Sequence, residues 1–308
     1  MDHARESIAA LKLIDLIGNT PIVKLEKLSP ANASVFVKLE YMNPTGSHKD
    51  RIALYMIEEA VERCGLKAGD VVVEASSGNT AISVAFVSKF YGLKPVIVVE
   101  EETSSEKVSM LKLLGAGVVF GSSDPSSPRY YVRVAEALAR EYGGVFLNQY
   151  ENPANVRAHY ETTAREIWQA LGGKISAFVM GVGTGGTITG VGRFLKEKLP
   201  EVKVIAVVPK GSKLVGGSGE EFIDGLASKN VYRNFDRTVV DAVIEVTRSE
   251  AIDVAKRLIR EEGIIAGISA GANVFASLLI ANSLPVGSNI VTVAPDSAFR
   301  YLSTLLRS

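Results

Sequence analysis

The stretch Ile175–Gly190, ISAFVMGVGTGGTITG, decides how the rest of the chain is read. Its first part, Ile175–Met180, is apolar apart from Ser176, the pattern of a parallel strand covered on both faces. Glycines then crowd Gly181-Val-Gly-Thr-Gly-Gly-Thr187, and a helical pattern runs from Thr187 to Leu199. Glycine lets the backbone approach an anion, and the free N–H groups and dipole of a helix start favour negative charge there. The loop therefore reads as a phosphate cradle. Gly181, Gly183 and Gly186 also satisfy the dinucleotide fingerprint G-x-G-x-x-G. That fingerprint expects an acidic residue ending the next strand, whereas Lys203–Val208 ends in Pro209 and Lys210. No Gly-Lys-Ser/Thr follows at the spacing of a Walker A loop.

The same alternation extends in both directions. Strand-like runs lie at Val35–Glu40, Val71–Glu74, Pro95–Glu100, Val118–Phe120, Ala242–Val246 and Asn289–Val293. Helical patterns lie between them at Thr80–Tyr91, Ser105–Leu114 and Ser249–Glu262, the last stopped by Gly263. Strand–helix alternation predicts an α/β fold: two open, mostly parallel sheets with helices on both faces and a ligand in the cleft between them. At roughly 150 residues per domain, 308 residues suggest two domains. The expected division falls near Asn148. Residues 1–148 would form one α/β domain, with those before about 45 free to pack on the other, and 149–308 the second.

Bulk properties narrow the partners. Lys plus Arg and Asp plus Glu both count 34, so no net field attracts nucleic acid or an anionic membrane. Cys64 is the single cysteine, which rules out an internal disulfide and fits a reducing cytoplasm. The opening MDHARESIAA lacks the apolar centre of a signal peptide. Gly263–Pro295 is uncharged and long enough to span a bilayer. Ser269, Asn273, Ser277, Asn282 and Pro285 within it favour a buried helix followed by a strand.

Three further clusters carry candidate chemistry. In Asn43-Pro-Thr-Gly-Ser-His-Lys-Asp-Arg51, Ser47 can cap a helix with Asp50 three residues on, placing Lys49 in the first turn. A cation is electrostatically misplaced there, which helps hold the amine deprotonated for Schiff-base chemistry. Ser76-Ser-Gly-Asn-Thr80 offers hydroxyls, backbone N–H groups and one amide for a carboxylate and a ring oxygen; a capped helix start explains it equally well in isolation. Gly267-Ile-Ser-Ala-Gly271 precedes an apolar helix and by itself reads as a packing loop.

Taken together these motifs resemble a family. Leu16-Ile-Gly-Asn-Thr-Pro21, NPTGSHKDR, SSGNT, ETSSEK, QYENPAN, HYETTAREIW, GVGTGGTITG, GISAGA and Arg300-Tyr-Leu-Ser-Thr304 occur in one order over nearly the whole chain. The chain is similar to the fold-type II, or tryptophan-synthase-β-like, pyridoxal 5′-phosphate (PLP) enzymes, within them the cysteine synthase and cystathionine β-synthase group. The resemblance implies that Lys49 holds PLP as a Schiff base and moves the substrate Cα proton. It implies that Asn79 bonds the cofactor's 3′-oxygen, that Gly183, Thr184, Gly185, Gly186 and Thr187 hold its phosphate, and that Ser269 faces the ring nitrogen. Ser76, Ser77, Thr80 and Gln149 align with the loops that grip the substrate carboxylate. A neutral hydroxyl at the ring nitrogen favours loss of a β-substituent over transamination.

The implied activity is β-replacement on O-acetylserine or O-phosphoserine with sulfide, through an aminoacrylate, to form L-cysteine in a cytoplasmic homodimer without a metal. Cystathionine β-synthase chemistry, joining serine to homocysteine, is the nearest alternative, and serine or threonine dehydration the next. A nicotinamide-dependent dehydrogenase and a non-catalytic amino-acid-binding protein are the readings from other classes. Three departures from the family pattern stand out: Ala81 after SSGNT, Ala298-Phe-Arg-Tyr-Leu-Ser303, and the loop Gly216–Lys229, GGSGEEFIDGLASK. The glycines of that loop are expected to hinge over the site. Its Glu220, Glu221 and Asp224 are expected to disfavour a phosphate leaving group if they face inward, with Lys210, Lys213 and Lys229 flanking them.

Overall fold

Valine and isoleucine recur in short runs because the chain builds two sheets that are each covered on both faces. The computed structural model describes residues 11–227 and 230–307. Strands are β1 (Ile22–Lys24), β2 (Ala33–Leu39), β3 (Val71–Ala75), β4 (Lys94–Glu100), β5 (Gly117–Gly121), β6 (Val145–Phe146), β7 (Ala177–Gly181), β8 (Lys203–Pro209), β9 (Ala242–Val246) and β10 (Ser288–Ala294). Helices are α1 (Lys49–Cys64), α2 (Asn79–Ser88), α3 (Ser105–Leu113), α4 (Tyr131–Glu141), α5 (Pro153–Ala158), α6 (Ala164–Ala170), α7 (Gly186–Lys198), α8 (Arg248–Glu262), α9 (Ile268–Ala281) and α10 (Leu302–Arg307).

One sheet has the order β1-β2-β10-β7-β8-β9 and the other β5-β4-β3-β6. Every pairing is parallel except β1 with β2. Alternate residues of one strand serve opposite cores. Val179 and Val207 pack with Ile252, Ala255 and Leu258 of α8 and Ala272 and Val274 of α9. Phe178, Met180, Ala206 and Val208 pack with Ile188, Val191 and Leu195 of α7. In the smaller sheet Val72, Ile97 and Val99 meet Ile52 and Met56 of α1, while Val73, Ala75 and Val98 meet Tyr131 and Ala135 of α4.

Two strands escape the pattern reading, because three residues of β1 and two of β6 are too short to show a period. The uncharged stretch resolves into α9, a turn and β10, and no helix among the described residues is long and apolar enough to cross a membrane. The glycine of GISAGA has a packing reason: a Cβ on Gly271 would lie 1.9 Å from the Ala251 carbonyl, where α8 and α9 touch. Helix α8 starts with a capping box between Thr247 and Glu250, and Gly263 closes it at φ +71°.

Candidate active site

The carboxyl ends of both sheets open on one cleft, and each end delivers a different segment to it. Ser76–Thr80 follows β3, Val182–Gly185 follows β7, and Pro295–Asp296 follows β10. The chain leaving β2 turns into the loop that starts α1 at Lys49. Lys49, Asn79, Gly183, Thr184, Gly185, Thr187 and Ser269 line one part of the cleft with Asp296. Ser76, Ser77, Thr80 and Gln149 line an adjoining cavity of about 340 Å³, also bounded by Lys49 and Asn79. Gly186 is the first residue of α7. Residues from across the sequence thus converge on one place.

Lys49 is the first residue of α1, and its N–H donates to Ser47 Oγ at 3.1 Å. The expected box with Asp50 does not form. Asp50 is buried, accepts from Thr45 N at 2.8 Å and from Ser83 Oγ at 2.6 Å, and so braces the loop against α2. Burial lowers the Lys49 amine to about 8, against the pull of Glu74 and Asp296. Desolvation, rather than the helix end, is the main cause. Glu74, buried on β3, is itself pushed up to about 8 by burial.

The glycine loop leaves no room for side chains. A Cβ on Gly183 would fall 2.6 Å from the Gly225 carbonyl, and one on Gly186 would fall 1.9 Å from Asn155 Oδ1. Gly185 has φ +88°, which favours glycine, and Phe235 backbone stands 2.6 Å from its missing Cβ. The first N–H groups of α7 have no partner within the helix, so the loop presents backbone donors to the cleft. A phosphate monoester fits this cradle. With a low-pKa lysine beside it, the cleft suits a phosphorylated aldehyde such as PLP.

On the substrate side Thr80 Oγ1 donates to Gln149 Oε1 at 2.6 Å. The Gln149 N–H donates to Glu74 Oε2 at 3.3 Å. Asn155 Nδ2 and Asn234 Nδ2 donate to the Gln149 carbonyl at 2.7 and 2.9 Å. Asn155 Nδ2 also donates to Thr184 Oγ1 at 3.0 Å, so one amide ties the glycine loop to Gln149. Tyr131, Tyr150 and Tyr232 form an aromatic wall of the cavity. The Tyr131 and Tyr150 hydroxyls are 2.7 Å apart, and the Tyr150 and Tyr232 rings stack at 4.4 Å.

The Gly216–Lys229 loop is described to Ala227; Lys229 lies outside the described residues. Of its three acids only Asp224 lines the cavity. Glu220 is exposed, and Glu221 Oε1 accepts from Arg248 N at 2.6 Å at the start of α8. Asp224 is paired with Arg248 at 3.3 Å. Lys210 and Lys213 are exposed, while Lys107 and Arg300 supply the cations along the cavity. Ala227 N donates to the Val182 carbonyl at 2.7 Å, which docks this segment on the phosphate loop.

Sequence reading missed Glu74, Tyr131, Asn155, Tyr232 and Asp296. Two of them had a signal: Glu74 interrupts the apolar VVVEA, and Asp296 directly follows IVTVAP. A carboxylate inside or at the end of a buried strand needs a purpose.

The comparisons with known proteins agree with this geometry. Residues 13–296 match the family model described as "Pyridoxal-phosphate dependent enzyme". The chain is 41% identical over 300 residues to a cysteine synthase of Staphylococcus aureus, covering 96% of each. It is 40% identical over 297 residues to the O-ureido-L-serine synthase of Streptomyces lavendulae, covering 96% of this chain and 91% of that one. It superposes on the crystal structure of O-acetyl serine sulfhydrylase isoform 3 from Entamoeba histolytica with a TM-score of 0.91 and 33% identity, covering 100% of this chain and 94% of that one. Lysine, glycine cradle and full-length likeness lead to the same conclusion: this chain belongs to the family of pyridoxal-phosphate dependent enzymes.

Proposed function

We propose that this enzyme carries out β-replacement on an O-activated serine, O-acetylserine or O-phosphoserine, with sulfide, and releases L-cysteine. The observation that carries the reading is the meeting of Lys49, the Gly183–Thr187 cradle and the Ser76–Thr80/Gln149 cavity in one cleft. Bound PLP supplies an electron-accepting ring conjugated to the amino-acid nitrogen. The protein's own residues do the rest. Backbone N–H groups of 183–187 would hold the phosphate, Asn79 would meet the 3′-oxygen and Ser269 the ring nitrogen. Ser76, Ser77, Thr80 and Gln149 hold the substrate carboxylate. Lys49 bears the cofactor, then takes the proton from the substrate Cα and returns it. An amine near 8 is neutral often enough at working pH to accept that proton and basic enough to hold it.

Borohydride reduction tests the lysine: the cofactor should become fixed to the peptide containing Lys49, and Lys49→Ala should abolish turnover. Label on another lysine would refute the assignment. A second reading, condensation of serine with homocysteine, is favoured by the aromatic-walled cavity of about 340 Å³, which has room for a nucleophile larger than sulfide. Offering each donor with sulfide or homocysteine and identifying the product separates the two.

A cytoplasmic homodimer is part of the same proposal. The lone Cys64 fits a reducing compartment. Exposed Met110, Ile265 and Phe299 border a groove with Phe86 and Leu114, a surface that suits a second copy. Sedimentation of the purified chain tests the assembly; a monomer at micromolar concentration would refute it.

A further inference from the structure

Asp296 is 2% exposed and sits where three segments of the cleft meet. Its backbone bridges Ser47. His48 N donates to the Pro295 carbonyl and Gly267 N to the Asp296 carbonyl, both at 2.9 Å. The segments that lead to Lys49 and to Ser269 therefore hang on the same residue. Its carboxylate reaches across the cleft: Oδ2 accepts from Asn79 Nδ2 at 2.7 Å and from the Tyr301 hydroxyl at 2.6 Å.

The other oxygen, Oδ1, is buried without a hydrogen-bond partner. A buried carboxylate oxygen in that condition is costly unless a cation compensates it. Lys49 lines the same part of the cleft as Asp296. The carboxylates that act on Lys49 are Glu74, from β3, and Asp296, from the segment after β10. The two are held differently. Both Glu74 oxygens are taken by backbone donors, Ala75 N at 3.0 Å and Gln149 N at 3.3 Å. Asp296 keeps one oxygen uncommitted. The other charged or titratable groups facing it are Tyr301, Arg300 and Asp224. Arg300 is engaged with the Thr45 carbonyl at 2.6 Å, and Asp224 with Arg248.

We propose that Asp296 is a positioning residue of this site: it fixes the Asn79 amide across the cleft and keeps a negative charge opposite Lys49. The inference rests on the assignment of Lys49 as the cofactor-bearing lysine. One Asn79 N–H is committed to Asp296, so the amide plane is set before the cofactor ring arrives. The charge of Asp296 opposes the lowering of the Lys49 amine by burial and holds it basic enough to move a proton.

The test follows capture of PLP by cofactor-stripped full-length protein, read as growth of visible absorption across a range of pH. Capture needs the neutral amine, so its pH midpoint reports Lys49. Asp296→Asn removes the charge and should lower the midpoint by about one pH unit. Tyr301→Phe removes a hydrogen bond that favours the ionised carboxylate against its burial, and should lower the midpoint too, by less. Losses of cofactor affinity in Asp296→Asn and Asn79→Ala should be strongly non-additive, because the two act as one unit. A purely structural role would lower stability and leave both midpoints in place, and that result overturns the inference. Should Asp296→Asn fail to fold, Tyr301→Phe decides alone: a downward shift supports the role and an unmoved or raised midpoint refutes it. Lys49→Ala serves as the control. Capture that survives in Lys49→Ala defeats the lysine assignment itself, whereas a blank control with unmoved midpoints defeats only the role of Asp296.

Discussion

Substituting Glu40 by glutamine should cost about 4 kcal/mol of stability, because Glu40 balances a buried charge cluster beside α1, the helix proposed to carry the cofactor. Glu40 and Lys38 are 0% exposed and Arg51 is 1% exposed. Glu40 Oε2 accepts from Arg51 Nε at 2.7 Å and Asn43 Nδ2 at 2.9 Å. Its Oε1 accepts from Arg51 Nη2 at 2.7 Å and Thr20 Oγ1 at 2.6 Å. Glu166 completes the cluster, with Lys38 and Arg51 nitrogens each 2.6 Å away. Two cations and two carboxylates cancel. Glutamine keeps the shape but removes one negative charge and turns one carboxylate oxygen into an NH2 donor that faces an Arg51 donor. Breaking a buried pair on one side typically costs about 3–5 kcal/mol. For a chain of this size each kcal/mol lowers Tm by roughly 2 °C, so the drop should approach about 8 °C.

The assay is thermal and urea unfolding of the cofactor-free protein at pH 7, which removes the contribution of ligand binding. The Arg51 guanidinium and Lys38 hold Glu40 well below the usual carboxylate range, overcoming its burial. Its stabilisation is therefore fully present above the unfolded carboxylate pKa and is lost as pH falls toward the folded one. The deficit of Glu40→Gln should shrink below about pH 4.5 for the same reason. Lys38→Met combined with Glu40→Gln restores neutrality and should lose less than the sum of the single changes. A loss under about 1 kcal/mol, or strict additivity, would refute the reasoning.

Three further outcomes follow from the site. Gly185→Val forces a β-branched residue to φ +88° against Phe235, so PLP affinity should fall at least about tenfold while pyridoxal affinity changes less; equal losses in titrations of the two ligands would place the anion elsewhere. Thr80→Val breaks the 2.6 Å bond that orients Gln149 and should raise KM for the amino-acid donor several-fold with little change in Tm; unchanged steady-state kinetics would show that Gln149 is held without it. O-acetylserine should exceed O-phosphoserine in kcat/KM, with Asp224→Asn narrowing the ratio, since Asp224 is the loop acid that lines the cavity; a preference for O-phosphoserine would assign Arg300 or Lys107 as the phosphate contact.

Local pattern carried the α/β class, eight of the ten strands among the described residues and the glycine loop between β7 and α7, because each depends on neighbours in sequence. Apolar runs report burial on both faces, and a glycine cluster between strand and helix reports close backbone approach to an anion. The roles proposed for Lys49, Asn79 and Ser269 rest on a resemblance spread over the whole chain, since each sits in the first turn of a helix. Tertiary structure alone decided the partners of isolated polar residues. Asp296 meets Asn79 across 217 positions and Arg51 meets Glu166 across 115; no periodicity records such pairs. The three-residue β1 and the two-residue β6 exist because β2 and β3 offer them edges. The fate of the acids in the Gly216–Lys229 loop was likewise decided by packing, which turned Glu221 onto α8 and left Asp224 at the cavity. Charge composition can be read from a sequence, but the direction in which a side chain points is fixed by what it packs against.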